Sequence, residues 1–322
     1  MTIRVSVVVP TYKRPDLLER CLTALVSQDF PPTDYEVIIA DDAASQKTRQ
    51  SVECWAQKAR PAVRYVPVSG THGPAAARNC GWRQARGRIV AFTDDDCIPA
   101  PTWLREGDGS FVDGVAGAWG QLIMPLPPVP SDFQKDASSL VGAEFVTANC
   151  FYRRDVLDAV NGFDERFEMA WREDSDLHFS LLERGSRLAR ADKAVVVHPL
   201  RPAGWGISLK QQRKNLYNAL LYKKHPSLYR ERVQAAPPLK YYFIVACLLA
   251  MITSVAAGRY DVAIATLLLW MAATTRFCLQ RLRGTLHTPG HVLEMAVTSV
   301  LIPPVAIFWR VLGAFKFRVV FF

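Results

Sequence analysis

Residues 88–96 read Arg88-Ile-Val-Ala-Phe-Thr-Asp-Asp-Asp96. The short apolar run is what a strand buried on both faces requires, and after a single Thr it delivers three carboxylates. The same arrangement occurs upstream, where Tyr35-Glu-Val-Ile-Ile-Ala40 runs straight into Asp41-Asp42. An earlier β-branched run, Arg4-Val-Ser-Val-Val-Val-Pro10, is stopped by proline. Between these strands lie helical patterns at 15–28, with Leu17, Leu18, Cys21, Leu22, Leu25 and Val26 in register, at 48–59 and at 75–86, plus a strand at 63–66. Repeated β-α-β units with short connections predict an α/β fold, a mostly parallel Rossmann-like sheet with helices on both faces. Ligands of such sheets sit at the carboxyl ends of the strands, where both acidic clusters emerge.

Outward from this core, a proline-rich crossing at 122–139 leads to an expected strand at 143–151, helices at 154–160 and 172–185, and a last strand at 195–198. The composition then changes. We expect a catalytic domain over 1–208, a basic juxtamembrane helix and linker over 209–239, and a hydrophobic membrane-associated region over 240–322. Tyr241 to Gly258 is 18 residues without a charge, about 27 Å as a helix against a hydrocarbon core of ~30 Å. Residues 262–275 form a shorter apolar run, and 295–309 is interrupted by Pro303-Pro304. A transmembrane hairpin followed by an interfacial or re-entrant helix is the expectation.

The net charge of +9 belongs to one part of the chain. Residues 1–198 carry 23 Lys and Arg against 27 Asp and Glu, whereas 199–322 carry 16 against 3. A basic tail beside apolar runs predicts contact with anionic membrane lipid, and nucleic acid is not expected as a partner because no zinc-finger or RNA-recognition signature occurs. Lys240 before the hairpin, and Arg276, Arg281 and Arg283 after it, predict that both hairpin ends face the cytoplasm, which places the catalytic domain on the cytoplasmic face of the membrane. Seven scattered cysteines without a Cys-x-x-Cys pair predict neither a disulfide framework nor a zinc site, and no secretory leader is expected.

No Walker glycine loop, Gly-x-Ser-x-Gly or His-Glu-x-x-His is present. What remains is a crevice lined by carboxylates, and a diphosphate enters such a place only with a divalent cation, Mn²⁺ or Mg²⁺. Asp94-Asp95-Asp96 is a suitable half-site. Glu173-Asp174, opening a helix, offers a base for a hydroxyl, with the helix dipole as the plain alternative for acids in a first turn. His198 closes a strand of the same domain and is a further candidate ligand. Trp171 beside the acidic pair and Trp205 between two glycines are candidate acceptor contacts.

Taken in order, Val-Val-Val-Pro10-Thr11-Tyr12-Lys13-Arg14, Asp41-Asp42, Gly73-Pro74-Ala-Ala-Ala-Arg78-Asn79, Thr93-Asp94-Asp95-Asp96, Gly162-Phe163-Asp164-Glu165, Glu173-Asp174 and Val197-His198 resemble the family 2 inverting glycosyltransferases of GT-A fold over about residues 4–200. The resemblance implies that Pro10, Thr11, Tyr12, Arg14, Asp42, Arg78, Asp94 and Asp95 hold a nucleoside diphosphate sugar. It also implies that Asp94, Asp96 and His198 hold the metal, and that Asp174, aided by Glu173, is the catalytic base. The Gln-x-x-Arg-Trp motif of processive synthases is absent, so transfer of a single sugar to a lipid-linked or glycan acceptor is expected, in the biosynthesis of a cell-surface polysaccharide or glycolipid. The alternatives are a sugar nucleotidyltransferase, which would carry a glycine-rich loop where Pro10 to Arg14 has none, and a catalytically inactive membrane-associated scaffold.

Overall fold

The computed structural model describes residues 3–321, which divide into two compact units, one of residues 3–125 and 139–200 and the other of residues 126–138 and 201–321.

The first unit is an α/β layer structure. Its strands are β1 (Val5–Thr11), β2 (Tyr35–Asp41), β3 (Ala62–Pro67), β4 (Ile89–Phe92), β5 (Ile98–Pro99), β6 (Gly117–Ile123), β7 (Cys150–Arg153) and β8 (Leu188–Val197). Helices α1 (Pro15–Val26), α2 (Gln46–Lys58), α3 (Pro74–Arg83) and α4 (Trp103–Gly109) alternate with the early strands, and α6 (Arg154–Val160) and α7 (Glu173–Glu183) follow β7. The strand order is β3-β2-β1-β4-β7-β6-β8-β5. β1 pairs in parallel with β2 and β4, as β2 does with β3, which is the expected β-α-β winding. The sheet as a whole is mixed, because β7 runs antiparallel to both β4 and β6. β4 and β6 therefore point the same way, and β8, parallel to β6, ends at the same edge.

Burial explains the pattern of the sequence. Val7, Val8, Val9, Ile38, Ile39, Val90 and Phe92 are wholly inaccessible, so the continuous apolar runs are strands covered on both faces. Val8, Ile38 and Phe92 pack with Trp82 of α3, Tyr152 of β7, Phe163, and Leu177 and Leu181 of α7 in one core. The strand expected over 143–151 begins only at Cys150, since Phe145 takes a left-handed conformation (φ 52°) that a strand cannot contain and residues 146–149 form a turn in which Asn149 N donates to the Val146 carbonyl at 2.9 Å.

The second unit is helical: α5 (Asp132–Ala137), α8 (Ile207–Lys210), α9 (Asn215–Lys224), α10 (Pro226–Arg232), α11 (Leu239–Ala256), α12 (Tyr260–Leu282) and α13 (Pro289–Phe317). The basic helix expected within 209–239 is broken at His225, because Pro226 starts a new helix and restricts the residue before it. α11 and α12 form the expected hairpin, turning at Gly258 in a left-handed conformation (φ 70°). α12 is longer than its apolar run, and α13 continues through Pro303 and Pro304 as one helix of 29 residues. All three are long and apolar enough to cross a membrane. Their outer faces carry exposed Phe243, Leu249, Ile264, Leu268, Phe308 and Phe315, an apolar surface far beyond scattered surface residues, and it marks this unit as membrane-associated.

Candidate active site

The register of the sheet assembles the acidic residues. β5 follows Asp94-Asp95-Asp96 after one residue and pairs with the end of β8, Ile98 opposite Val197, which sets Asp96 beside His198. The backbone N–H of His198 donates to the Ile123 carbonyl (2.8 Å) and fixes that strand end. Ligand atoms of Asp94, Asp96, Cys97 and His198 all lie within 4.8 Å of one another. His198 Nε2 is 3.7 Å from Asp96 Oδ1, and its buried Nδ1 has no hydrogen-bond partner. Two carboxylates and an imidazole with a spare nitrogen fit a divalent cation such as Mn²⁺ or Mg²⁺. Cys97 fits less well. Its sulfur suits softer ions than Mn²⁺ or Mg²⁺, and without a cation, burial followed by the charges of Asp94 and Asp96 pushes its thiol well above the usual range.

The three consecutive aspartates have separate neighbours. Asp95 faces β1, accepting a hydrogen bond from Thr11 Oγ1 (2.8 Å) and pairing with Arg14 Nη1 at 3.3 Å. Burial pushes its carboxyl up to about 6 against these two contacts. Asp94 accepts from Arg78 Nη2 at 2.8 Å, and Arg78 Nη1 donates to Glu173 Oε1 at 2.9 Å. Arg78 is buried; burial opposes its charge, but Asp94 and Glu173 outweigh that and hold it protonated. The resemblance implied a place for Arg78 near the nucleoside, and the structure sets its guanidinium between the aspartate cluster and the start of α7.

The start of α7 is shaped by Arg172, a left-handed residue (φ 77°) whose guanidinium lies 4.5 Å from the centre of the Trp171 ring. Glu173 turns inward and is buried, whereas Asp174 is only half-buried and accepts from the backbone N–H of Ser175 at 2.6 Å. Burial raises the pKa of both, with Arg78 pulling Glu173 back and the Ser175 N–H pulling Asp174 back. Asn79, next to Arg78, locks the loop between α6 and α7 by accepting from Phe163 N (2.9 Å) and donating to Phe163 O (2.8 Å) and to Glu165 (2.9 Å). Gly162 permits this approach, since a Cβ there would lie 2.5 Å from Asn79 Oδ1 and from Trp82 Nε1.

At the ends of β1 and β2, Tyr12, Lys13, Asp42, Ala43, His72 and Gly73 help to line a cavity of about 960 Å³. Tyr12 is half-exposed, beyond Pro10 and Thr11. Asp41 is spent on the turn, accepting from Ala43 N, Ser45 N and Tyr65 Oη. Asp42 faces the cavity with Oδ1 at 2.8 Å from His72 Nδ1 and Oδ2 accepting from Gly73 N. His72 and Cys97 were not among the sequence-derived candidates. Neither carried a signal beyond adjacency in sequence to Gly73 and Asp96. Trp205 belongs to the helical unit and is exposed there, while the next residue, Gly206, donates its N–H to Glu294 of α13 at 2.7 Å.

Comparison with known proteins agrees with this geometry. The profile described as "Glycosyl transferase family 2" matches residues 6–127, and "Glycosyl transferase family group 2" matches 131–279. Glycosyltransferase AglE of Haloferax volcanii is 28% identical over 213 residues, covering 62% of this chain and 68% of that protein. A GalNAc(5)-diNAcBac-PP-undecaprenol beta-1,3-glucosyltransferase of Campylobacter jejuni is 37% identical over 94 residues, covering 29% of each chain, so the match spans less than a third of that protein. Among solved structures, the mannosyltransferase PcManGT of Pyrobaculum calidifontis, in complex with GDP-Man and Mn²⁺, superposes with a TM-score of 0.63 at 20% identity, over 96% of this chain and 88% of its own. With a mixed sheet of this topology, the acidic crevice at its edge and both profiles in register, the chain belongs to glycosyltransferase family 2 and has the GT-A fold with a helical membrane-associated region.

Proposed function

We propose that the protein transfers one sugar, with inversion at the anomeric carbon, from a nucleoside diphosphate sugar to a hydroxyl of a lipid-linked or glycan acceptor at a membrane. The observation that carries this reading is the double hydrogen bond of Arg78, which ties the diphosphate half-site at Asp94 to the helix start bearing Asp174. Asp174 takes the proton of the acceptor hydroxyl as its oxygen forms a bond to the anomeric carbon, and the bond from that carbon to the diphosphate oxygen breaks on the opposite face. Glu173, buried against Arg78, acts as a positioning residue. Tyr12 offers a ring for the base and Asp42 an acceptor for its N–H groups, at the cavity that also holds His72. A divalent cation held by Asp94, Asp96 and His198 would neutralise the departing diphosphate. Trp171 and Trp205 are the proposed acceptor contacts.

A lipid-linked acceptor is supported by the apolar faces of α11, α12 and α13 and by the undecaprenol-linked name of the Campylobacter relative, and a nucleotide-sugar donor with a divalent cation by the GDP-Man and Mn²⁺ in the Pyrobaculum structure. Cations flanking the α11–α12 hairpin at both ends support a cytoplasmic catalytic unit. The test is to offer the full-length protein, in nanodiscs, a panel of nucleoside diphosphate sugars with Mn²⁺ or Mg²⁺ and membrane-extracted acceptors. Nucleoside diphosphate release and the anomeric configuration of the product are then followed by NMR. Inverted product supports the reading. Retained configuration, or pyrophosphate release from a sugar phosphate and a nucleoside triphosphate, overturns it.

A further inference from the structure

The three arginines at the end of α12 differ in what they touch. Arg281 is turned into the helical unit, paired with Asp132 at 2.6 Å and donating to Thr298 (2.7 Å), Ser299 (3.2 Å) and Ser208 (3.1 Å). Arg276 and Arg283 are exposed, and neither guanidinium has a hydrogen-bond or ion-pair partner among the described residues. They lie seven residues apart with Gln280 between them, positions that share one helix face. With Met271, Thr275 and Leu279, these three residues line a groove of about 720 Å³. Toward the middle of α12 the same face continues through Ala272, Leu269 and Ala265, all exposed and all apolar. A third cation stands at the rim, because Lys135 Nζ donates to the Arg283 carbonyl at 2.6 Å. Asp132, the nearby acid, is already engaged by Arg281.

We propose that this groove binds the phosphate headgroup of an anionic membrane lipid, with Arg276 and Arg283 on the phosphate and the Ala265-Leu269-Ala272 stripe along its chain. Guanidinium forks suit phosphate oxygens in number and direction, and a head that is anionic above an apolar tail matches both halves of the helix face. A neutral lipid leaves the charges unused; a soluble anion leaves the stripe unused. The proposal rests on the membrane association of this unit and not on the transfer chemistry.

The experiment uses the full-length protein in nanodiscs of phosphatidylcholine with a minority of phosphatidylglycerol, extracted gently and weighed by native mass spectrometry with its retained lipids. The wild type should keep phosphatidylglycerol in preference to phosphatidylcholine. Each charge removed in Arg276→Gln and Arg283→Gln should lower that retention about fivefold, with unchanged thermal unfolding, while Arg259→Gln at the opposite end of α12 should not. Equal retention in the Arg276→Gln/Arg283→Gln double variant overturns the site. Displacement of the lipid by millimolar inorganic phosphate assigns the groove to a free anion and overturns it as well. A protein that does not enter nanodiscs at all refutes the membrane association, and the site with it, whereas entry without selective retention refutes the site alone.

Discussion

Arg78 and Glu173 form a buried ion pair, Nη1 to Oε1 at 2.9 Å, with both side chains 3% exposed. The second arm of Arg78 holds Asp94, so one guanidinium joins α3, the strand end of β4 and the start of α7. Removing one partner of such a pair leaves an uncompensated buried charge, which costs roughly 3–5 kcal/mol. Arg78→Ala should therefore lower the thermal unfolding midpoint sharply. Glu173→Gln, which keeps a hydrogen-bond acceptor, should cost less, and adding Glu173→Gln to Arg78→Ala should restore part of the loss. A midpoint for Arg78→Ala equal to wild type would show that the bridge does not form.

The half-buried Asp174 gives a prediction in pH. Burial raises its pKa from the ordinary carboxylate range, which is near 4. A base works only when ionised, so turnover should fall as pH drops through this raised value, and the acid limb should lie above where a solvated aspartate would put it. Asp174→Asn should lower kcat by about 10² to 10⁴ while nucleotide binding stays near wild type. Asp174→Glu should keep an acid limb at a reduced rate. Full activity in Asp174→Asn, measured by nucleoside diphosphate release, removes the residue from the role of base.

The cluster around His198 allows the proposed metal ligands to be told from a bystander. Cys97 lies within reach of Asp94, Asp96 and His198, yet its sulfur suits softer ions than Mn²⁺ or Mg²⁺. Mn²⁺ titrations followed by electron paramagnetic resonance, with nucleoside diphosphate present, should show weakened binding in Asp96→Asn and His198→Ala, but binding close to wild type in Cys97→Ser. Chelation should abolish turnover, and added Mn²⁺ should restore it. Strong loss of Mn²⁺ in Cys97→Ser would make the thiol a ligand and reverse the assignment.

How much of this was legible depended on the range of the interaction. The runs at Val5–Val9 and Ile89–Phe92 announce buried strands because burial on both faces leaves a continuous apolar signature, and the acids follow them directly in the chain. Helix α3 was equally plain, although the bridge from Arg78 to Glu173 was not, since 95 residues separate the partners. The antiparallel β7 was displaced by several residues because Phe145 is left-handed and residues 146–149 form a further turn, closed by Asn149 N on the Val146 carbonyl, and nothing in the Phe residue type favours the left-handed conformation. Pro303-Pro304 suggested a break, but the proline pair removes only local hydrogen bonds, and tertiary packing of Ile302, Pro303 and Ala306 keeps α13 intact.

The helical unit contains its own buried charge pair, Arg281 with Asp132, 8% and 18% exposed. Asp132 lies in the proline-rich crossing, on α5, whose start is fixed by a capping box between Ser131 and Gln134. Leu286 N donates to the Pro130 carbonyl at 2.9 Å beside it. The crossing is thus clamped onto the ends of α12 and α13, and the clamp depends on an ion pair with little access to water. Asp132→Ala should leave Arg281 charged and buried, at a cost of about 3–5 kcal/mol. In detergent this should appear as a lower unfolding midpoint and as faster proteolysis within residues 126–138. Replacing both partners, Asp132→Ala with Arg281→Met, should recover much of that stability, because an apolar chain of similar length carries no charge to strand. If the double variant is as unstable as Asp132→Ala alone, the loss comes from broken packing of α5 and the ion pair is not what holds the crossing in place.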